Sequence, residues 1–115
     1  MHYNALFVHN ALQCPLFRKI GYMGSNVLRI IKFQVKTAYD LTKSQMVFTI
    51  SAFSETIVDG DLVMFYFSGH GYHINGRTYL ARVDDDLIKS DEDVQDYCTC
   101  VERIFHQLRQ KTHPL

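Results

Sequence analysis

A histidine between two glycines follows the most apolar segment of the chain. This FSGHG segment, residues 67–71, continues the run DLVMFYF, which predicts a buried β-strand. The carboxyl ends of parallel strands are where α/β sheets bind ligands, and an imidazole titrates near neutral pH. His70 is therefore a candidate to accept and donate a proton. The Gly71 amide has no side chain beside it and is a candidate donor to an oxyanion. On these residues alone a second interpretation stays open, in which the glycines form a tight turn and His70 makes only a local hydrogen bond.

The three cysteines are the candidate nucleophiles for such a histidine. Cys14 lies in an irregular segment after the first predicted strand, at the same sheet edge as His70 if the strands are parallel. No other feature supports Cys14 as a nucleophile. Cys98 and Cys100 lie at a predicted helix start, where the helix dipole lowers a thiol pKa. We expect both at the opposite end of the sheet from His70, as partly buried small hydrophobic residues.

Neither a metal nor a cofactor is expected from the remaining polar residues. Cys98 and Cys100 together with His106 or His113 match no standard zinc spacing. Acidic residues 84–96 lack the glycine-centred spacing of a calcium loop, and we interpret them as a surface loop. The sequence has no glycine-rich phosphate motif, which argues against a nucleotide-binding α/β domain.

Three predicted strands must position the histidine. Residues 5–8 and 61–68 are apolar runs typical of buried strands, and the alternation in residues 32–36 predicts a half-buried strand. Helical segments separate these strands, so the order strand, helix, strand, helix, strand predicts an α/β fold with a parallel sheet. We expect the strand of residues 61–68 to be buried on both faces.

The helices are predicted from apolar residues that recur every three or four positions. The first is short, and the second is capped by Asp40 or Thr42 and ends near Gly60. The third begins with capping-box spacing at Thr99 and Glu102. The residues expected to face inward are Val27, Leu28, Ile30 and Ile31 in the first helix, Met46, Ile50, Phe53 and Ile57 in the second, and Val101, Ile104, Phe105 and Leu108 in the third.

A tight turn is predicted shortly after the histidine. Asn75-Gly76 lies between two short runs of strand-forming residues, which is a strong signal for a β-hairpin. His73 lies in the first arm of this hairpin and is expected to be an exposed neighbour of His70.

Composition narrows the class of protein. The chain has 115 residues, of which 47% are hydrophobic and 21% charged, and this is the composition of one globular domain. Its formal net charge is zero, so nucleic acid is not an expected partner. No apolar run is long enough to span a bilayer, so no membrane partner is expected. Three cysteines do not suggest a disulfide framework, and we expect a reducing compartment, the cytoplasm.

Several segments of the sequence resemble those of the caspase-like cysteine peptidases. Residues 61–71 are similar to the histidine motif of that family, in the style of paracaspases and metacaspases. Residues 33–35 and the helix after them resemble the family's second strand and second helix. Residues 75–84 resemble its hairpin and the proline-valine-aspartate stretch that follows, with Arg82 in place of the proline. Residues 97–101 and the last helix are similar to paracaspases in particular.

The resemblance implies a fold and a reaction. The fold is an α/β caspase-like (caspase–hemoglobinase) sandwich with a central, mostly parallel sheet, of which residues 1–115 would be the amino-terminal p20 part. The reaction is hydrolysis of a peptide bond in a peptide or protein substrate by a Cys–His dyad, through an acyl-enzyme. In that family's scheme His70 would be the general base, and Gly71 would lend its N–H to the oxyanion hole.

Two further departures from the family pattern bear on activity and specificity. In the family the nucleophilic cysteine ends the next parallel strand, which should follow the last helix, and no counterpart precedes Leu115. Paracaspases and metacaspases place an acidic residue before the first helix to hold a basic P1 side chain, and here that position is the neutral Asn26. We therefore expect the chain alone to be inactive, and its P1 preference stays open.

Two functions follow from this comparison. The first is the amino-terminal part of a caspase-like endopeptidase domain that needs its missing carboxyl-terminal half, in the same chain or in another. The alternative is a catalytically dead caspase-like interaction module that pairs with intact relatives. In both, the histidine strand would be open on one side, where an apolar edge recruits another chain.

Overall fold

Strands and helices alternate in the computed structural model, which describes residues 3–10, 26–27, 29–30, 32–81 and 87–112. Asn26, Val27, Arg29 and Ile30 are helical. The longer elements are β1 (Tyr3–Asn10), β2 (Gln34–Tyr39), α1 (Lys43–Ser54), β3 (Leu62–Gly69), β4 (Gly71–Ile74), β5 (Arg77–Leu80), α2 (Asp91–Tyr97), β6 (Thr99–Cys100) and α3 (Val101–Thr112).

A parallel sheet with the order β2-β1-β3 forms the centre of the molecule. β1 pairs with β2 from Asn4 opposite Gln34, and with β3 from Tyr3 opposite Leu62. β1 is the central strand of the three, and its residues 4–10 are all buried. The predicted α/β fold with parallel strands is confirmed.

The main core lies between this sheet and two helices. Leu6 and Val8 of β1 point toward the helices, and apolar residues of β3 pack against the same cluster. Apolar side chains recurring on one face of a helix are typical of burial against a sheet. The helical contributions are Met46, Ile50 and Phe53 from α1 and Ile104 and Leu108 from α3.

The start of α1 follows from a local signal. The Thr42 side chain accepts a hydrogen bond from the Gln45 N–H, and the Gln45 side chain accepts one from the Thr42 N–H, which is a complete capping box. Thr42 is therefore the cap, whereas Asp40, the other candidate, has a left-handed φ of 57°. The helix ends at Ser54, earlier than predicted, and Ile57 is buried from the turn that follows it.

β3 is an edge strand among the described residues, as expected of a histidine strand open on one side, but its burial differs from the prediction. Val63, Phe65 and Phe67 pack against the core. Leu62 and Met64, on the other face, are 51% and 40% exposed. The prediction that this strand is buried on both faces is therefore wrong, because an apolar run does not reveal whether other elements cover both faces of a strand.

The predicted hairpin is present and belongs to a second sheet, with the order β4-β5-β6. Asn75 and Gly76 form its turn with φ values of 53° and 77°. Two successive left-handed residues give the turn type that matches the twist of a hairpin, and Asn-Gly is the sequence that favours it.

The segment after the hairpin differs from its prediction. Residues 84–96 were expected to be a surface loop, but from Asp91 they form α2, capped by the Ser90 side chain. Three acidic residues in the first turn of α2 interact favourably with the helix dipole. Residues 82–86 lie outside the described part of the chain.

The start of α3 also differs. Thr99 does not cap the helix, because it forms β6 with Cys100 and pairs with β5. Glu102 instead accepts hydrogen bonds from the Thr78 N–H and the Cys100 thiol. Phe105, expected to face inward, is 52% exposed.

Two smaller expectations are corrected as well. β2 begins at Gln34 and not at residue 32, because Lys32 lies in a turn with a φ of 76°. Val27 and Ile30, expected on an inward face, are 58% and 77% exposed. Within the described ranges, no helix has the length and apolar character needed to cross a bilayer.

Candidate functional site

His70 lies at the carboxyl end of the parallel sheet. It is the residue between β3 and β4, so it connects the first sheet to the second. Its side chain is exposed to solvent. An accessible imidazole at this edge has the position that a proton-transfer role requires.

The backbone of His70 is held by a chain of hydrogen bonds. The Ala81 N–H donates to the His70 carbonyl at 2.9 Å. Ala81 is in turn held by Asn10, whose side-chain amide donates to the Ala81 carbonyl at 3.2 Å and to the Leu41 carbonyl at 3.0 Å. The Leu41 N–H donates back to the Asn10 side-chain oxygen at 2.7 Å. One buried asparagine thus joins the end of β1 to the β2–α1 connection and to the residue that anchors His70.

Gly69 is needed because the chain passes very close to β1 before the histidine. A Cβ at this position would lie 2.9 Å from the Asn10 carbonyl oxygen and 2.9 Å from the Phe67 ring. Real Cβ atoms do not approach backbone oxygen this closely, so a side chain here would force β3 and β1 apart. A close approach of this kind is a typical reason for glycine in a strand.

The hairpin pairing sets the direction of the Gly71 N–H. Gly71 lies opposite Leu80, and the adjacent bond runs from the Ala81 N–H to the His70 carbonyl. In an antiparallel ladder this makes Gly71 and Leu80 a non-hydrogen-bonded pair. The Gly71 N–H therefore points away from β5, on the outer side of β4.

The structure does not bring Cys98 or Cys100 to the histidine. Both belong to the second sheet region, and Thr99 between them lies opposite Leu80, whose other neighbour is Gly71. The expectation that they lie at the opposite end of the sheet is therefore wrong, because residues 99–100 add a strand to the hairpin. Cys98 is 1% exposed in a small apolar cluster, as expected of a buried hydrophobic residue. Cys14 lies outside the described residues.

The Cys100 thiol contributes to a polar contact at the start of α3. It donates to the Glu102 carboxylate at 3.3 Å. The pKa of the Glu102 carboxyl is held below its ordinary value by its own backbone N–H first, then by the Cys100 thiol. The Thr78 N–H and the Arg77 charge act in the same direction. This contact joins β5 to α3.

His73 is exposed, as expected, and its Nδ1 lies 3.3 Å from the Thr78 hydroxyl across the hairpin.

A metal site would need several ligands close together. Within the described ranges, no three His, Cys, Asp or Glu residues are grouped to hold a metal ion.

Sequence reasoning missed Asn10. The signal available was a polar residue at the end of a buried strand, at the edge where His70 was already expected. Its partners are 31 and 71 residues away in the sequence, so local pattern could not identify them.

Comparison with known proteins identifies the family. The caspase domain model matches residues 18–113 of this chain. The chain is 29% identical over 103 residues to the mucosa-associated lymphoid tissue lymphoma translocation protein 1 homolog of Mus musculus. It has the same identity, over the same length, to the corresponding protein of Homo sapiens. Each alignment covers 90% of this chain and 12% of the relative.

These matches agree with the resemblance found in the sequence and with the α/β architecture of the structure. The family model extends over most of the chain, including the histidine segment, the hairpin and the last helix. The resemblance to caspase-like cysteine peptidases, and to paracaspases among them, is confirmed. The chain belongs to the caspase domain family of peptidases.

Proposed function

We propose that this chain is the amino-terminal, p20-type part of a cysteine endopeptidase domain and supplies the histidine of a Cys–His dyad. In this proposal His70 removes the proton from a cysteine thiol that the carboxyl-terminal half of the domain provides. The thiolate attacks the peptide carbonyl, and the imidazolium then protonates the leaving amine. Water releases the acyl group in the second half of the reaction.

The observation that carries the proposal is the pairing at the end of β3. His70 is exposed at the carboxyl edge of the sheet, and the next residue directs its N–H away from β5. A base and an oxyanion donor on consecutive residues serve the two charges that develop during acyl transfer. The backbone contacts through Ala81 and Asn10 fix both groups before substrate arrives.

The open edge of β3 supports the proposal that another part of the domain supplies the nucleophile. In the described part of the chain, β1 occupies one side of β3 and no strand occupies the other. A further parallel strand on that side would end beside His70, because the carboxyl ends of parallel strands meet at one edge. The exposed Leu62 and Met64 are apolar surface that such a strand, and the segments joined to it, would cover.

A chimaera tests the role of the histidine. This chain would replace the matching 103 residues of the mouse relative, and the unmodified relative would be assayed in parallel. Turnover of fluorogenic peptides that end in Arg or in Asp would be followed with and without iodoacetamide. We expect iodoacetamide-sensitive cleavage, and we expect His70→Gln to lower kcat by about 100-fold or more.

The matched control is the neighbouring histidine on β4. His73→Gln should change kcat by less than about twofold, because His73 faces Thr78 across the hairpin. Equal losses in the two variants would contradict a specific role for His70. The chain alone should show no inhibitor-sensitive turnover. If the chain alone does show such turnover, and Cys14→Ala abolishes it, then Cys14 is the nucleophile. The proposal that another part of the domain supplies the cysteine would then be wrong.

The same open edge supports the alternative, a catalytically dead module that pairs with an intact caspase-like chain. The two proposals differ in the fate of His70. Pairing would survive His70→Gln in both cases, since the backbone of β3 and not the imidazole forms the contact. Turnover would fall only if His70 belongs to the catalytic dyad. Co-purification of wild-type and His70→Gln chains with a caspase-like partner, compared with their effect on its turnover, separates the two.

A further inference from the structure

A cavity of about 340 Å³ lies away from the histidine, between α1, α3 and the second sheet. The carboxyl end of α2 closes one side of it through Gln95. Neither His70 nor Gly71 is among its lining residues. Its volume lies within the range of small-molecule sites, which begins near 300 Å³.

The interior of the cavity is apolar. Ile50 of α1, Ile104 of α3 and Tyr79 of β5 line it, and all three side chains are buried. Val47, one turn before Ile50, is 50% exposed and lies at the boundary between the cavity and solvent. An apolar interior of this kind accepts a ring or a short hydrocarbon chain.

The charged residues around the cavity are all cationic. Lys43, Arg77 and Arg103 line it, and no Asp or Glu is among its lining residues. The Lys43 ammonium donates to the Gln95 and Asp96 carbonyls at 2.9 and 3.1 Å, so it also fixes the end of α2. The Arg77 charge helps to lower the pKa of the Glu102 carboxyl, which is not among the lining residues.

Arg103 is the lining cation that lies next in sequence to a residue of the apolar interior. Among the described residues it has no salt bridge, and it lies on α3 beside the buried Ile104. A guanidinium at the edge of an apolar space binds carboxylate or sulfonate oxygens in a fixed, two-pronged geometry.

A second observation also points to a ligand. Thr99 lines the cavity and is 7% exposed, and its hydroxyl is buried with no hydrogen-bond partner in the described part of the structure. A buried hydroxyl without a partner costs stability, and a ligand oxygen in the cavity would supply the missing bond.

We propose that this cavity binds a small organic anion, an apolar body that carries one carboxylate or sulfonate. The body lies against Ile50 and Ile104, the anionic group meets Arg103, and the Thr99 hydroxyl donates to it. The site is separate from the proposed Cys–His chemistry. It is tested on the chain alone, without turnover, so the two proposals fail independently.

The probe is 8-anilinonaphthalene-1-sulfonate, and its comparison is N-phenyl-1-naphthylamine, the same ring system without the sulfonate. Fluorescence titration of the complete chain should give one sulfonate-dependent site. Arg103→Gln should weaken binding of the sulfonate about tenfold, because a charge-assisted contact is lost, and should change binding of the uncharged probe by less than about twofold. Arg109→Gln, which removes the same charge from an exposed position on the same helix, is the matched control and should have little effect.

Two further variants keep the proposal falsifiable if the probe also adheres to other apolar surface. Val47→Trp should block the entrance and lower the stoichiometry of the sulfonate site. Thr99→Val should weaken sulfonate binding several-fold while leaving the melting temperature unchanged or raised, because it removes the buried hydroxyl without changing shape. Equal binding of the two probes, or sulfonate binding indifferent to Arg103→Gln and Val47→Trp, would overturn the proposal.

Discussion

Around His70 the position of the imidazole depends on residues that take no part in proton transfer. Gly69 permits the close approach of β3 to β1, and the Asn10 side chain joins the end of β1 to Leu41 and Ala81. An arrangement that must hold a base within a few tenths of an ångström needs such supporting contacts. The consequence is that the glycines on the two sides of the histidine should respond differently to substitution.

Gly69→Ala is expected to destabilise the fold by roughly 1–3 kcal/mol, because the new methyl group would overlap the Asn10 carbonyl and the Phe67 ring. Gly71→Ala is the matched control. A Cβ there would lie 3.4 Å from the Tyr79 carbonyl, an ordinary contact, and the N–H is kept. Urea unfolding of both variants measures the difference, and equal stabilities would show that the close approach at Gly69 is not limiting.

Asn10→Ala tests the polar junction beneath the site. It removes two donated bonds and leaves the partly buried Leu41 N–H without its acceptor, so we expect a loss of about 2–4 kcal/mol. Asn26→Ala serves as control, since within the described ranges Asn26 makes an exposed hydrogen bond with Arg29, and it should cost less than about 0.5 kcal/mol. A loss for Asn10→Ala as small as that of the control would show that water replaces these bonds.

At the scale of elements, local sequence signals predicted the structure correctly where the hydrogen-bond partners are close in the sequence. The Thr42 cap and the Asn75-Gly76 turn were predicted because their partners lie within three residues. β6 and the exposed face of β3 depend on segments that are distant in the sequence, and neither was correctly predicted from the local pattern. The histidine and the glycine after it were identified as candidates for the same local reason, whereas Asn10 was not.

The contact between β5 and α3 should show a pH dependence. Glu102 has a folded-state pKa below its ordinary value of 4.5, so its ionised form stabilises the fold above that pH. The contribution is lost as the pH falls through the lowered value. The stability difference between wild type and Glu102→Gln should therefore be present at pH 7 and shrink as the pH is lowered below about 4.5, and it should be small because the group is exposed.

Urea unfolding at pH 7, 5 and 4 in low salt measures this difference. Asp59→Asn, a substitution at an exposed turn outside β5 and α3, is the control for general charge effects. A Glu102→Gln difference that grows as the pH falls would contradict the assigned direction.

At the scale of the whole molecule, the apolar surface is unevenly covered. The helix side of the sheet is packed with buried side chains, while Leu62 and Met64 on the edge strand β3 are half exposed. Phe105 lies about 100° around α3 from the buried Ile104, on the side away from Gln107, which contacts α1. β3 therefore combines an open edge, where a further strand would add, with exposed apolar side chains on one face.

The chain alone should consequently associate through this edge. Met64→Lys places a charge on the edge strand, where Lys opposes pairing with another chain, and should raise the dimer dissociation constant about tenfold or more. Phe48→Lys is the control, since Phe48 is 74% exposed on α1 and contributes nothing to the β3 edge. Sedimentation equilibrium over a range of concentrations measures both constants. Two outcomes would contradict this prediction: a wild-type chain that is a monomer at every concentration, or an equal rise of the dissociation constant in Phe48→Lys and Met64→Lys. In either case the chains do not associate through the β3 edge, and this edge no longer supports a partner strand beside His70.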